Sequence, residues 1–415
     1  MGLVVQKFGG SSVADIEHIR GVAKRVVATR HAGHQLVVCV SAMLGETDHL
    51  AKLAHQLCGD DPSGRSAREF DVLLSTGEQK TIALLAMAIH ELGEPARSLT
   101  AAQMGMRTDA VHTRARIQSI DVERLRAVIE QGCIAVIAGF QGVDDAGNIT
   151  TLGRGGSDIS AVAVAGALRA DVCEICTDVD GVYTADPRVV PAARKLDRIS
   201  YDEMLEMASL GAKVLQIRAV KFAKRYGVAL HVRSSLRPEE GTWVTREEDV
   251  MERLVVSGVT YNRDEAKIRV KGVKDQPGIA GKVFTPLSNA GIVVDMIVQN
   301  LSSDGTTDMT FTVPKAEYRK ALGLAEKAGA EIGAESVEGE EGIAKVSIVG
   351  LGMQDHAGVA TKMFNVLAEE GINIQMITTS EIKLSVVIDE GCTEKAVRAL
   401  HAAFIGDGAT EPRAE

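Results

Sequence analysis

Two hydrophobic periodicities alternate along the first 245 residues. Leu3–Phe8, Gln35–Ser41, Cys133–Gly139 and Val172–Thr177 are short β-rich runs, several of them continuously apolar. Such runs predict strands covered on both faces of a sheet. Between them, Ile16–Ala28, Thr47–Leu57, Arg68–Leu92 and Ser157–Leu168 carry apolar residues at helical spacing. A hairpin is expected over Val143–Thr151, with Asp-Ala-Gly-Asn at its tip. Alternating β and α segments argue for a mainly parallel α/β domain over 1–245.

A charged, patternless stretch at 246–252 reads as a linker, and beyond it a repeat appears. Asp275-Gln-Pro-Gly-Ile-Ala-Gly-Lys-Val-Phe returns as Asp355-His-Ala-Gly-Val-Ala-Thr-Lys-Met-Phe, offset by 80. The register holds without a gap through Leu287/Leu367, Ile292/Ile372 and Met296/Met376, which marks duplicated modules. The first module, 265–340, predicts strands near 266–273, 292–299, 306–313 and 331–338 and helices near 278–290 and 315–328. That order is the split βαβ, ferredoxin-like pattern. The second lacks a last strand after its helix at Glu394–Phe404. The unassigned strand Leu254–Tyr261 is expected to complete it. The second module would then comprise 253–262 and 342–405, with the first inserted into it and 406–415 left as a tail.

Composition narrows the function. With 46 basic against 56 acidic residues and 3% aromatics, the chain offers neither a basic patch nor stacking platforms for nucleic acid. No apolar run approaches the ~18 residues of a membrane span; the most apolar stretch, Ile82–Ile89, continues an amphipathic helix. The N-terminus has no cationic region, and Gln6 stands where myristoylation wants Ser or Thr. A cytoplasmic protein is expected. The six cysteines are scattered, and Cys173-x-x-Cys176 has no second pair to complete a zinc site. These two read as core residues of a strand, and no metal-ligand set is expected.

Three segments carry chemistry, the first two of them glycine-rich. Lys7-Phe-Gly9-Gly10-Ser11-Ser12 follows the first strand and precedes a helix. Glycines let the backbone approach an anion, a helix N-terminus offers free N–H groups, and Lys7 adds a charge. The run Thr151-Leu-Gly153-Arg154-Gly155-Gly156-Ser157-Asp158 opens a second helix. Its Arg154 can grip a carboxylate or phosphate through two bonds, and Asp158 also suits the first turn as a cap. Thr177-Asp178-Val-Asp180-Gly-Val-Tyr183-Thr-Ala-Asp186-Pro-Arg188 follows a strand, where α/β ligands bind, and lacks calcium-loop spacing. Ser41-Ala-Met-Leu-Gly-Glu-Thr47 and Ser75-Thr76-Gly77-Glu78 add polar groups beside turns, with Glu78 placed at a helix start.

Taken in order with Leu210-Gly-Ala-Lys-Val-Leu-Gln-Ile-Arg-Ala-Val-Lys-Phe-Ala223, these motifs resemble the bacterial aspartate kinases of the amino-acid kinase family, and the repeat resembles their paired ACT modules. Ser11 and Ile159-Ser160 depart from the usual Thr and Thr-Thr. The resemblance implies a three-layer α/β/α sandwich with a mostly parallel sheet, and phosphoryl transfer from ATP with Mg2+ to the β-carboxylate of L-aspartate. It implies catalytic Lys7, Asp158 and Arg154. ATP would contact Lys7, Gly9, Gly10, Ser41, Thr177, Asp178, Tyr183, Arg188 and Lys213; aspartate would contact Thr47, Glu78, Arg154 and Ser157.

For the modules, the Asp275–Gly278 and Asp355–Gly358 loops precede helices that favour a carboxylate. The resemblance extends the effector set to Ile279, Asp295, Gln299, Val359, Thr361, Asn373, Ile374, Ser380 and Glu381, with lysine and threonine as effectors. It also implies a homo-oligomer through module edges, and Met251 is placed to start a separate regulatory subunit in an α2β2 assembly. Acetylglutamate, glutamate or uridylate kinase, and an amino-acid sensor with a vestigial kinase half, remain as alternatives.

Overall fold

The computed structural model describes residues 2–59, 61–212, 214–249, 255–302 and 305–406. Lys213, Met251, Leu254, the end of the 246–252 stretch and the tail from 407 lie outside the described residues, as does the side chain of Asp355. The chain divides into two compact units: Met1–Val182 with Lys195–Ala208 and Lys213–Met251, and Tyr183–Arg194 with Ser209–Ala212 and Glu252–Glu415. Two short segments from the first 245 residues thus fold with the second unit.

The first unit runs β1 (Leu3–Phe8), α1 (Ile16–His31), β2 (Gln35–Val40), α2 (Glu46–Cys58), α3 (Ala67–His90), β3 (Ala96–Leu99), α4 (Ala101–Met104), β4 (Met106–Thr108), β5 (Ile117–Ile120) and α5 (Val122–Glu130). It continues through β6 (Ile134–Ala138), β7 (Gln141–Val143), β8 (Ile149–Thr151), α6 (Gly156–Leu168), β9 (Val172–Thr177), β10 (Arg198–Ser200), α7 (Tyr201–Ser209), α8 (Ile217–Tyr226), β11 (Leu230–Ser234) and β12 (Thr242–Thr245). The main sheet has the order β10-β12-β11-β9-β1-β2-β6-β3, and every neighbouring pair is parallel except β11 with β12. A smaller sheet, β5-β4-β7-β8, contains the expected hairpin.

Sequence explains the layers. Ile19, Val22, Ala23, Val26 and Val27 form the buried stripe of α1, which joins Phe8, Val38, Val136, Leu85 and Ile89 in one core. On the other side α6 packs against β1 and β9 and is covered in turn by α8. Its Gly, Ala, Val and Ser residues are buried nearly all round, and their small size lets backbone approach backbone. Among the described helices, α3 is long and apolar enough to be weighed as a membrane span, yet Leu74, Ile82, Leu85, Ala86 and Ile89 are packed inside the unit. Cys173 and Cys176 are both buried in β9, where burial raises both thiol pKa values, that of Cys176 to about 12.

The second unit holds β13 (Gly258–Asn262), β14 (Glu265–Lys274), α9 (Ile279–Asn289), β15 (Ile297–Leu301), β16 (Thr306–Pro314), α10 (Tyr318–Ile332) and β17 (Ser336–Glu340). After these come β18 (Ile343–Val349), α11 (Val359–Glu369), β19 (Met376–Thr379), β20 (Lys383–Asp389) and α12 (Thr393–Ile405). Two antiparallel four-stranded sheets result, β15-β16-β14-β17 and β13-β18-β20-β19. β13 pairs with β18 from Gly258↔Val349 to Asn262↔Lys345, so a strand preceding the first module lies in the second module's sheet. Two expected strands are displaced. Residues 292–296 form a connection before β15, and the span 331–338 is divided: α10 runs to Ile332, Gly333 turns the chain with φ 72°, and β17 starts at Ser336. An apolar stripe shared by helix end and strand start hid that boundary from periodicity.

Candidate active site

Strand register places the site. Phe8 lies level with Val40 of β2 and Cys176 of β9, and Val40 lies level with Ala138 of β6. The loops after these four strands therefore leave the sheet along one edge, at the strand carboxyl ends. Ser41 N donates to Phe8 O at 3.1 Å and Gly139 N to Val40 O at 3.1 Å, which binds the loop starts together.

Lys7 reaches the Asp158 carboxylate at 2.6 Å, with side-chain exposures of 11% and 14%. Burial by itself pushes the ammonium pKa down; the adjacent Asp158 charge and hydrogen bond outweigh it and leave the pKa above the usual lysine value. Lys7 is therefore a permanent cation. Asp158 is held in place by the first turn of α6, which comes close to the end of β6. A Cβ on Gly139 would stand 2.7 Å from Ser157 Oγ and 2.9 Å from its Cα, so Gly139 lets Ser157 approach. Neither spacing nor composition singled out Gly139.

The helix after β1 starts at Ile16, where it was expected, capped by Asp15 Oδ1 accepting from His18 N at 2.9 Å; what the sequence did not show is the short 3-10 turn, Gly10–Val13, that Gly9 and Gly10 lead into. Any anion here meets the turn's N–H groups, because Asp15 already occupies the N-terminus of α1. At the second glycine cluster α6 does start directly, at Gly156, with no side-chain cap. Arg154 is exposed, and its guanidinium has no protein partner among the described residues.

Glu78 is also corrected. It lies in the interior of α3 and caps no helix start, because the helix already begins at Ala67. Glu78 is 3% exposed; Oε1 accepts from Ala42 N at 3.0 Å and Oε2 has no partner among the described residues. Burial raises its pKa to about 7. Through Ala42, Glu78 fixes the loop of Ser41, which ends in the first turn of α2 with Thr47. At the end of β9, Thr177 Oγ1 donates to Asp178 Oδ1 at 3.0 Å. The first unit thus gathers Lys7, Gly9, Gly10, Ser41, Thr177 and Asp158 around one sheet edge.

Tyr183 and Arg188 belong to the second unit. Arg188 is exposed and folded onto its neighbour Asp186, through Nε at 3.0 Å and Nη2 at 2.8 Å. Lys213 lies outside the described residues.

In the modules, Gly278 and Gly358 take φ 88° and 93° at the N-caps of α9 and α11, so a positive φ requires glycine there. Ile279 is buried and Val359 half-buried behind them, while Asp275 and Thr361 are exposed. Gln299 faces solvent on β15; Asn373, Ser380 and Glu381 are exposed in the second module, and Ile374 is half-buried. Asp295, a candidate effector contact, is already paired: its carboxylate meets Lys345, which also meets Glu265 at 2.5 Å. Lys345 is 3% exposed and needs those counter-charges, which keep its pKa above the ordinary lysine value despite burial. Met296, Ile343, Met376 and Val387 form an apolar cluster between the modules.

A profile of the amino acid kinase family matches residues 2–234, and an ACT domain profile matches 268–328 and 346–404. An aspartate kinase of Pseudomonas fluorescens is 57% identical over 405 residues, covering 97% of this chain and 98% of that one. Among solved structures, E. coli aspartokinase III in complex with aspartate and ADP (R-state) matches with TM-score 0.81 at 27% identity, covering 97% of this chain and 99% of that one. The same enzyme in complex with lysine and aspartate (T-state) matches with TM-score 0.76 at 27% identity and the same coverage. The sheet edge built around Lys7, the tandem modules later in the chain and full-length likeness agree: the chain belongs to the amino acid kinase family, among its ACT-bearing aspartate kinases.

Proposed function

We propose that the protein transfers the γ-phosphoryl group of MgATP to the β-carboxylate of L-aspartate, giving 4-phospho-L-aspartate, the first step toward lysine, threonine and methionine. The observation that carries this reading is the buried Lys7–Asp158 pair at the edge where four strand ends meet. A carboxylate is already ionised near neutrality, so the acceptor needs no general base. What remains is positioning and charge stabilisation. Lys7 and the N–H groups of Gly9 and Gly10 would neutralise charge on the moving phosphoryl, while Asp158 holds Lys7 charged and aimed. Arg154 would take the α-carboxylate of aspartate and the free Oε2 of Glu78 its ammonium, with Thr47 and Ser157 beside them. Ser41, Thr177 and Asp178 would serve the nucleotide. The described residues present no group of three or more His, Cys, Asp or Glu side chains for a metal, so Mg2+ would be held mainly by ATP oxygens and water.

The modules would bind lysine, threonine or both and inhibit the reaction. A neighbour's complex with lysine supports this, as does the packing of Ala185, Val189 and Val190, beside Tyr183 and Arg188, into the core of the second module. Half-exposed or exposed apolar residues on the outer strands, Ile297, Leu301 and Ile377, suit edge pairing between copies. A regulatory subunit started at Met251 would share that edge. Six unpaired cysteines suit the cytoplasm.

The test is ATP turnover with aspartate, with the acyl phosphate trapped by hydroxylamine. An aspartate-dependent hydroxamate is expected, together with a loss of several decades in rate for Lys7→Ala. Turnover with glutamate, acetylglutamate or uridylate in place of aspartate, or near-normal turnover by Lys7→Ala, would overturn the reading.

A further inference from the structure

Arg154 presents a physical problem. It is exposed, its guanidinium has no protein partner among the described residues, and it sits between two glycines, so none of those residues fixes where its side chain stands. The backbone around it is nevertheless pinned. Gln216 Nε2 donates to Arg154 O at 3.3 Å and Arg218 Nη1 to Leu152 O at 2.8 Å. On the other flank the chain runs back to Thr151, and there the anchor is a carboxylate from α3.

That carboxylate is Asp71. It is 0% exposed, and its oxygens meet three donor groups. Oδ1 accepts from Thr151 Oγ1 at 2.6 Å and from Thr113 N at 3.1 Å; Oδ2 accepts from Thr113 N at 3.0 Å and from His112 Nδ1 at 2.8 Å. Thr113 holds φ 68°, a left-handed conformation that a residue with a Cβ rarely adopts. Its carbonyl would lie 3.0 Å from a Cβ on Gly153, so the strained residue abuts the one preceding Arg154. Ala115 N donates to Thr151 O at 2.8 Å, which ties the same two segments again. On α3, Asp71 precedes Glu78 by seven residues, two helical turns, so both carboxylates lie near one face of the helix.

We propose that Asp71 is a positioning residue for Arg154: it locks Thr113 and Thr151 to the helix that carries Glu78, and so fixes the distance between the group that takes the α-carboxylate of aspartate and the group that takes its ammonium. Asp71 touches no ligand. It acts by holding two recognition groups on one rigid element, which selects a zwitterion with those charges at that separation. The inference rests on the reading of Arg154 as the carboxylate clamp.

The experiment is a double-mutant cycle on the full chain, with aspartate and MgATP varied separately. Arg154→Ala should raise the KM for aspartate by roughly 10–100-fold, the range for losing a hydrogen-bonded charge partner. Asp71→Ala should raise it by about tenfold or more, leave the KM for MgATP within about twofold, and add nothing further in the Arg154→Ala background. If Arg154→Ala leaves the aspartate KM unchanged, the clamp reading itself fails. If Arg154→Ala has its effect but Asp71→Ala has none, multiplies with it, or raises both KM values alike, the positioning role fails and the clamp stands. Should Asp71→Ala not fold, Thr151→Val decides. It removes one donor to Asp71 with little change of shape, and its rise in aspartate KM must vanish without Arg154; no rise overturns the proposal.

Discussion

Replacing Glu78 by Gln should make the protein more stable and a poorer enzyme, with both effects tied to pH. Glu78 is 3% exposed, and one of its oxygens has no partner. Burial raises its pKa from 4.5 to about 7, opposed by the hydrogen bond from Ala42 N. Because the folded-state value lies above the unfolded one, the stability linked to this proton is full below 4.5 and is lost as pH rises through about 7. At about 1.4 kcal/mol per pH unit, the ionised carboxylate costs on the order of 3 kcal/mol at pH 8. Gln keeps an acceptor for Ala42 N and carries no charge. Glu78→Gln should therefore melt roughly 6–12 °C higher at pH 8, since a kcal/mol moves a unit of this size by about 2–4 °C. The gain should shrink toward zero near pH 4.5. Differential scanning calorimetry of the first unit's transition across pH 4.5–8 measures this. Turnover must move the other way: if Oε2 takes the substrate ammonium, the wild-type KM for aspartate should climb as pH falls below about 7, and Glu78→Gln should have a high, pH-independent KM. A gain over wild type no larger at pH 8 than at pH 5 would refute the desolvation argument, and an unchanged KM would refute the role.

Other perturbations read different parts of the molecule. Gly139→Ala drives a Cβ to within 2.9 Å of the Ser157 Cα. The first turn of α6 must shift, and kcat/KM should fall by about a hundredfold, the loss expected from a misplacement of roughly 1 Å; circular dichroism should remain that of a folded protein. Lys345→Ala leaves Glu265 buried without its cation and should destabilise the second unit by about 3–5 kcal/mol in urea, whereas Lys345→Met with Glu265→Leu should recover most of that.

The sequence made the architecture legible where physics is local. Continuously apolar runs marked β1, β2, β6 and β9, because a strand covered on both faces has no polar side to show. The gapless repeat exposed the two modules, and the second module's missing last strand pointed to the strand it borrows from ahead of the first. What stayed hidden depends on distance. Edge strand β3 and the short strands β4 and β5 have too few residues for a period. Gly139 looks like any strand-end glycine until Ser157, 18 residues on, is packed against it. Asp71 reads as a polar residue in a helix, and its donors lie 41, 42 and 80 residues away. The segment Tyr183–Arg194 illustrates the same limit. It follows β9 in sequence, but Thr184 O accepts from Val259 N and its Oγ1 meets His401, so its fold is set by residues of the second unit.

The Lys7–Asp158 pair shows why burial matters more than charge here. A buried ion pair is weak evidence for stability, since desolvating both groups cancels most of their attraction. A well-packed apolar pair would hold β1 to α6 as firmly. The ammonium has three donors, and among the described residues Asp158 is its one ion-pair partner. The remaining donors lie at the mouth of a turn whose Gly9 would bring a Cβ to 3.2 Å from Nζ. A side chain there would crowd the space beside Nζ, which the proposed phosphoryl group would have to enter. With water largely excluded, a charge developing at that point would be felt through a lower dielectric than on an open surface, and the cation is already oriented before it appears. Asp158 sets the balance. It pairs closely enough to keep Lys7 protonated against burial, and it approaches from the first turn of α6.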